Sequence, residues 1–438
     1  MLNTLLVRSH HWLLLLGFLR LPYAFAAPPA TQPAPAPDLQ PVLKDLSSND
    51  WLTREQAQIK LEQLDNNARP LLLGIIRQTS DDDLRARLEA GLRTIEDNSK
   101  VAPTLVSASL KNVTAREAFT EIAKQANVRI DVSDLEREDV PRFSMDITPR
   151  PFWQAVRELC TKTSLQPDIR GEPPQIVVDS LPTRWCNRPA SVHGSFLVIA
   201  ERIERDYKVD LAKPDELQHR FTLQLTAYSD PKLLVLKNAR DTKLEEAVDE
   251  RGNSLLSPQE QEYVPESSDY RGPWEWRLTA KLHHPDGAGQ RIARLRGSAQ
   301  FLVRTQFETW ELSQIMTVQN ATRVIAGTRI TIEGLSRSDE GYTLRIRGQG
   351  ALCGLVSPGL ADQFEAIRRS IRLLDHNGRA FAVDFAGGSG REDWSYLFTF
   401  KPTPAQDTTA EPAKLIWDVP TEAKFLVVPF EFKNLPLP

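Results

Sequence analysis

The sequence predicts a multidomain protein: a small α-helical repeat module, an α/β domain built from a duplicated β-α-β unit, and two tandem all-β sandwich domains. Three observations predict this. Apolar residues recur at helical spacing over 43–98, one β-α-β pattern recurs 37 residues on within 104–180, and five strand-rich phrases recur in order within 190–438. A chain of 438 residues is too long for one compact core at roughly 150 residues per domain. Its composition, 41 % hydrophobic and 26 % charged, is that of a globular protein. A net charge of −4 argues against a nucleic-acid binder, because phosphate contacts need clustered Lys and Arg. Three cysteines are too few for a disulfide-dense scaffold or a four-thiolate metal site.

Residues 1–26 have the pattern of a secretory signal peptide. Arg8, His10 and His11 form a basic head, 12–19 is an apolar run, and Ala24-Phe25-Ala26 is a small-x-small site with cleavage expected near Ala26-Ala27. The run is too short for a permanent span, and Arg20 and Pro22 interrupt it. Cleavage would move the net charge from −4 to −6, since the segment carries Arg8 and Arg20 and no acid. No later run approaches the length of a membrane helix, so the mature form is expected to be periplasmic or extracellular, with no transmembrane segment. Residues 27–42 hold six prolines among small residues and predict an extended linker.

Within 43–98, Thr53-Arg54-Glu55-Gln56 is a capping-box pattern, and Ala57, Leu61 and Leu64 follow on one helical face. Pro70 suits the first turn of a second helix, with Leu71, Leu72, Ile75 and Ile76 as its buried side. Ser80 is the expected cap of a third helix. Asp81, Asp82 and Asp83 complement its positive end, and Leu84, Leu88, Leu92 and Ile95 line its inner face. This pattern resembles a HEAT-type helical repeat. One or two repeats are too few for a long solenoid, which implies packing or docking.

Over 104–180, Val106, Ala108 and Leu110 alternate as a strand. Thr114-x-x-Glu117 caps a helix with Ala118, Phe119, Ile122, Ala123 and Ala126 on one face, and Val128, Ile130 and Val132 form a second strand. The order repeats with Phe143, Met145 and Ile147, then Pro151, then Ala155, Val156, Leu159 and Cys160, and Ile176, Val177 and Val178 form the closing strand. Phe119, Phe152 and Trp153 read as packing residues. With Leu110-Lys111-Asn112-Val113 before the helix, the segment resembles the short N-terminal (STN) domain of secretins and TonB-dependent transducers. That resemblance implies a small α/β module outside the cytoplasm with a protein–protein or signalling role, and it carries no catalytic residues.

The remainder alternates strand and turn signals, with turns at Arg251-Gly252-Asn253, Asp286-Gly287, Asn377-Gly378 and Gly387-Gly388. Residues 361–370 break the pattern and read as a short helix or a poor strand. Glu201/Ile203 resembles Glu333/Leu335, and 221–225 resembles 342–346. Asp249-Glu250-Arg251-Gly252 resembles Asp375-His376-Asn377-Gly378, Trp274-Glu275-Trp276 resembles Trp394-Ser395-Tyr396, and 299–303 resembles 423–427. The offsets of 132, 121, 126, 120 and 124 are what a tandem duplication leaves, here of two immunoglobulin-like sandwiches over 190–305 and 306–438.

No catalytic motif is present. There is no G-x-S-x-G, and Gly387-Gly388-Ser389-Gly390 reads as a flexible turn. No phosphate-binding loop occurs, and Gly348-Gln349-Gly350 is not followed by a helix pattern. His193, His219, His283, His284 and His376 lack metal-ligand spacing, and His283-His284-Pro285-Asp286 reads as a hairpin tip. No metal or cofactor is expected. Cys160 falls on a helix core face, while Cys186 and Cys353 are the candidate disulfide pair. Trp274, Trp276 and Trp310 are the candidate aromatic binding surface, Trp274 and Trp276 sharing a strand face by the two-residue period, with core packing as the competing reading.

The expected function is that of an exported, non-catalytic protein–protein interaction or scaffold protein of the bacterial cell envelope with an envelope protein as partner. The alternatives are a glycan- or small-ligand-binding protein that uses the sandwiches, and an enzyme whose dispersed residues leave no local motif.

Overall fold

The computed structural model describes residues 39–64, 66–132, 141–170, 175–179, 185–257, 270–272, 274–285, 287–339, 341–352, 360–390, 393–403, 406 and 410–438. The expected signal peptide and most of the linker lie outside them. The chain forms two compact units, 1–92 and 93–438, helical at the start and largely β thereafter.

The helical part holds α1 (Gln40–Leu46), α2 (Trp51–Glu62), α3 (Arg69–Gln78) and α4 (Asp82–Val101). α1 begins inside the expected linker, with proline in its first turn. α2 opens earlier than Thr53, because the Asp50 carboxylate is the stronger cap. It accepts from the Thr53 backbone at 2.8 Å and the Thr53 hydroxyl at 2.6 Å. α4 is likewise capped by Asp81, not Ser80. One Asp81 oxygen takes the amides of Asp83 at 3.0 Å and Leu84 at 3.2 Å. Asp82 and Asp83 pair with Arg85 at 2.7 Å and Arg87 at 3.1 Å, which accounts for the acidic run without a metal. Pro70 occupies the first turn of α3 as expected, but the buried stripe is narrower than predicted: Leu72 is buried and Leu71 is exposed. α4 also runs past the expected end of the module at 98.

The α/β part runs β1 (Leu105–Val113), α5 (Ala115–Ala126), β2 (Ile130–Asp131), β3 (Phe143–Pro151), α6 (Phe152–Thr163), β4 (Gln166–Arg170) and β5 (Gln175–Asp179). Both helices start and stop 37 residues apart and end on a left-handed residue, Asn127 (φ 51) and Ser164 (φ 58). The predicted capping box of Thr114 and Glu117 is complete. β4 was not expected, since Pro167 weakens its strand signal. β1 pairs antiparallel with β3, while β5 pairs parallel with β2 and antiparallel with β4. α5 packs on β1 and β2, and α6 on β1, β3 and β4, so the helix pair sits between the two sheets. The Gln125 side chain closes the outer edge of β1. It donates to the Ser107 carbonyl at 2.8 Å and accepts the Ser107 amide at 3.0 Å.

The strand-rich part holds β6 (Ala190–His193), β7 (Phe196–Asp210), β8 (Lys213–Ser229), β9 (Val235–Asp249), β10 (Tyr270–Gly272), β11 (Glu275–Leu282), β12 (Arg291–Ser313), β13 (Gln319–Ile325), β14 (Thr328–Ser338), β15 (Gly341–Gln349), α7 (Leu360–Ser370), β16 (Ile371–Asp375), β17 (Ala382–Ser389), β18 (Asp393–Lys401) and β19 (Pro412–Pro436). The segment that broke the strand pattern is thus a helix. Gly387 and Gly388, read as a flexible turn, lie in β17 beside a register shift.

Two five-stranded sheets share one strand order, β10-β11-β8-β7-β6 and β17-β18-β15-β14-β13. All five sequence correspondences fall on equivalent strands or turns, but the fifth is out of register. Ile292 stands against Asp249 as Pro412 stands against Asp375, so the structural counterpart of Ala299 is Val419, not Ala423.

The two halves are not separate sandwiches. Both pack against one sheet, β16-β19-β12-β9, whose central strands pair from Arg291↔Pro436 to Ser313↔Lys414. The expected boundary at 305/306 falls inside β12, where the register shifts locally at Gln306↔Glu422 and resumes at Phe307↔Pro420. Ala299, Phe301 and Val303 point into the first core and Trp310 into the second. On β19, Leu415, Trp417 and Val419 serve the second core, and Val428, Phe430 and Phe432 serve the first.

An aspartate organises the same turn in each half. Asp249 Oδ1 accepts the amides of Arg251 at 2.9 Å and Asn253 at 2.8 Å, and Asp375 Oδ1 accepts those of Asn377 and Arg379, both at 2.8 Å. Gly252 (φ 85) and Gly378 (φ 75) supply the left-handed step. Desolvation raises the pKa of each carboxyl, but the hydrogen bonds outweigh it, bringing Asp249 from 3.8 to about 2 and lowering Asp375. A carboxylate whose folded pKa is depressed stabilises above its unfolded pKa, so this support is expected to fade as pH falls from 3.8 towards 2. Asp249→Ala and Asp375→Ala should each lower Tm by several degrees at pH 7, with the deficit shrinking below pH 3.8, as thermal melts across pH would show.

Candidate functional site: a polar cleft where the α/β layer meets the sheet

Residues 196–200 read Phe-Leu-Val-Ile-Ala, a continuous apolar run, because β7 is buried on both faces. Phe196, Val198 and Ala200 face the first sandwich core, while Leu197 and Ile199 face the α/β layer. The docking is tight. The Trp153 indole N–H donates to the Ser229 carbonyl at 2.8 Å, and its ring lies 5.1 Å from that of Tyr228. Buried Asp230 accepts the Thr104 amide at 2.6 Å and the Thr104 hydroxyl at 2.9 Å. One turn further along α6, Arg157 donates to the carbonyls of Cys186 at 2.9 Å and Arg188 at 2.6 Å.

Beside this seam lies a cleft of about 340 Å³, walled by β4, residues 185–188 and the outer faces of β7, β8 and β11. Its lining alternates Arg188, Arg202 and Arg277 with Asp168, Glu201 and Glu275. Much of that charge is paired internally: Arg188 with Glu201, Arg202 with Glu204, and Asp168 with Arg170 at 2.7 Å. Burial, and then Glu275, push the Tyr228 phenol well above its ordinary pKa, so it stays a neutral hydrogen-bond donor. The cleft therefore offers many donors and acceptors and little net charge. That suits recognition of a polar or zwitterionic group. Among the described residues no three His, Cys, Asp or Glu side chains converge as a metal site.

The three tryptophans expected as an aromatic surface do not come together. Trp274, Trp276 and Trp310 are each at most 8 % exposed and belong to three different cores, so none presents a ring face to solvent. Trp274 shares a buried core with Trp153, Trp185 and Tyr228, Trp276 lies under the Arg369 guanidinium, and Trp310 stacks on Trp417 at 6.4 Å. The two-residue period placed Trp274 and Trp276 together, but Trp274 precedes β11 and is drawn into the α/β seam. Phe119, Phe152 and Trp153 are buried, in line with packing. Cys353 lies outside the described residues, as does Asp286 of the expected hairpin tip. Cys186 is a buried free thiol. His284 packs edge-on against Phe221 at 5.4 Å. His193 and His376 are exposed and far apart in the chain, and nothing is described of the His219 side chain. Sequence reasoning missed the cleft because its charged residues lie on four separate segments, each of which reads alone as a solvated face.

Removing the Trp153 ring leaves a cavity in the seam and orphans the Ser229 carbonyl. Trp153→Ala should cost about 3–5 kcal/mol in chemical denaturation, against under about 1 kcal/mol for Trp51→Phe at an exposed site of the same chain.

No protein-family model matches the sequence, and no curated protein matches it. One solved structure, described as the crystal structure of the conserved domain protein from Bacillus anthracis, aligns with 56 % of this chain and 89 % of its own at 8 % identity. Its TM-score of 0.14 carries no argument about fold or function.

Proposed function

We propose that this chain is an exported, non-catalytic protein–protein interaction or scaffold protein of the bacterial cell envelope, with an envelope protein as partner. The observation that carries the reading is on α2. Its inner face buries Ala57 and Leu61, while Leu52 (55 % exposed) and Ile59 (49 %) lie on the opposite face and Trp51 (65 %) at its margin. Large apolar side chains exposed away from the buried face leave contact surface for a partner. The order β-α-β-β-α-β-β with two helices between two sheets supports the STN-like reading of 104–180. The helical pattern of 43–98 supports the HEAT-like one, and the paired strand orders support two related immunoglobulin-like halves. Export rests on the pattern of residues 1–26. Among the described residues no helix is long and apolar enough to cross a membrane.

A second reading, a binding protein for a small polar ligand, has the cleft lined by Arg188, Arg202 and Arg277 in its favour. The aromatic glycan platform has lost its support, since the three tryptophans are buried.

Deleting 104–180 would pull Trp153 out of a core it shares with Tyr228 and Trp274, so surface substitutions make the cleaner test. In-cell cross-linking and affinity capture of 27–438 should retain an envelope protein, and Trp51→Asp with Ile59→Asp should reduce its recovery at least tenfold with Tm unchanged. Equal recovery by both forms would remove α2 as the surface, and no partner for either would end the interaction reading.

A further inference from the structure

Two of the three cysteines meet where α6 crosses the segment leading into β6. Cys160 is on the buried face of α6 and Cys186 lies in residues 185–188; both are free thiols buried in one core. Three contacts hold Cys186 along α6, on either side of Cys160 in the chain. The Cys186 carbonyl accepts from Arg157 at 2.9 Å, its sulfur donates to the Leu165 carbonyl at 3.6 Å, and the two thiols lie close enough to perturb one another. A second Arg157 nitrogen, Nη1, is buried with no hydrogen-bond partner among the described residues. Two neighbouring thiols on ordered backbone need little movement to reach the short separation of a disulfide.

We propose that Cys160 and Cys186 are a disulfide-forming pair, a covalent staple that ties α6 to residues 185–188 and is made by thiol–disulfide exchange with an external disulfide. Cys186 is the attacking group. The neighbouring Cys160 thiol lowers its pKa most, with Thr161 and the Arg157 charge adding to this, whereas burial pushes Cys160 well above the usual thiol range. The Cys186 thiolate attacks one sulfur of the external disulfide and expels the other as a thiol. Cys160 then gives up its proton, attacks Cys186 Sγ and releases the second thiol. Two protons and two electrons pass to the oxidant, which leaves as two thiols. The staple closes a loop that includes β4, one wall of the polar cleft, and fixes that wall against the sheet. It leaves Cys353 as the odd cysteine, in place of the Cys186–Cys353 pair read from the sequence. It does not rest on the interaction reading or on export.

The test uses 27–438, unsubstituted and as Cys353→Ser, denatured with reductant and refolded in a glutathione redox buffer so that burial does not limit access. Tryptic mapping without reductant should show peptide 158–162 joined to peptide 185–202 in both forms. The link should vanish with dithiothreitol, and Tm should be several degrees higher oxidised than reduced. Cys160→Ala should abolish the linked pair. Joining of Cys186 to Cys353, a lasting glutathione adduct on Cys186, or full alkylation of Cys160 and Cys186 after the oxidising refold would each overturn the proposal.

Discussion

The antiparallel pairing of β12 with β19 is the constraint on which the strand-rich half depends. Two strands separated by about a hundred residues of chain pair from Arg291↔Pro436 to Ser313↔Lys414, and each serves two cores. A strand offers alternate residues to opposite faces, and β12 gives Ala299, Phe301 and Val303 to the first core and Trp310 to the second. The irregularity at Gln306↔Glu422 is local, since the register of Arg304↔Ala423 resumes at Phe307↔Pro420. Pro429 is tolerated on β19. The amide of Glu431, two residues on, points away from β12 to the Ser191 hydroxyl, so a proline at 429 removes no bond from the ladder.

The duplicated halves differ in what covers them. At the offset of 132, Leu197 and Ile199 of the first half correspond to Arg329 and Thr331 of the second. The first pair is buried under the α/β layer. The second lies on a polar sheet face with Glu333 and Arg347, which form an ion pair. Two residues facing outward on one strand thus determine which sheet receives a partner layer, because only the apolar pair gains by leaving water. The cleft follows from that choice. It is the gap left where a curved sheet meets a small α/β unit, lined by the polar positions that the docking does not bury.

Much of this was legible in the residues. The recurrence of α5 as α6, the capping box at Thr114, Pro70 in the first turn of α3, and the Asp-x-x-Gly turns at 249 and 375 are local patterns, and local patterns survive folding. The misreadings were local too. Asp50 and Asp81 outcompeted Thr53 and Ser80 as caps because a carboxylate adds charge to the same hydrogen bond. β4 hid behind Pro167, and the correspondence of 299–303 with 423–427 matched composition but was out of register. The site was hardly legible at all, since its charged walls come from strands whose neighbours are set by sheet order.

By itself, then, the sequence determined most of the helices and the recurring patterns of 104–180 and 190–438. Each depends on contacts within a few residues or on the period of one element. Only the tertiary structure decided that the two sandwich halves share one sheet, that Trp274, Trp276 and Trp310 go to three different cores, and that Cys186 lies against Cys160. Those outcomes depend on register and layer packing between distant segments, where a shift of one residue reverses the face on which a side chain lies.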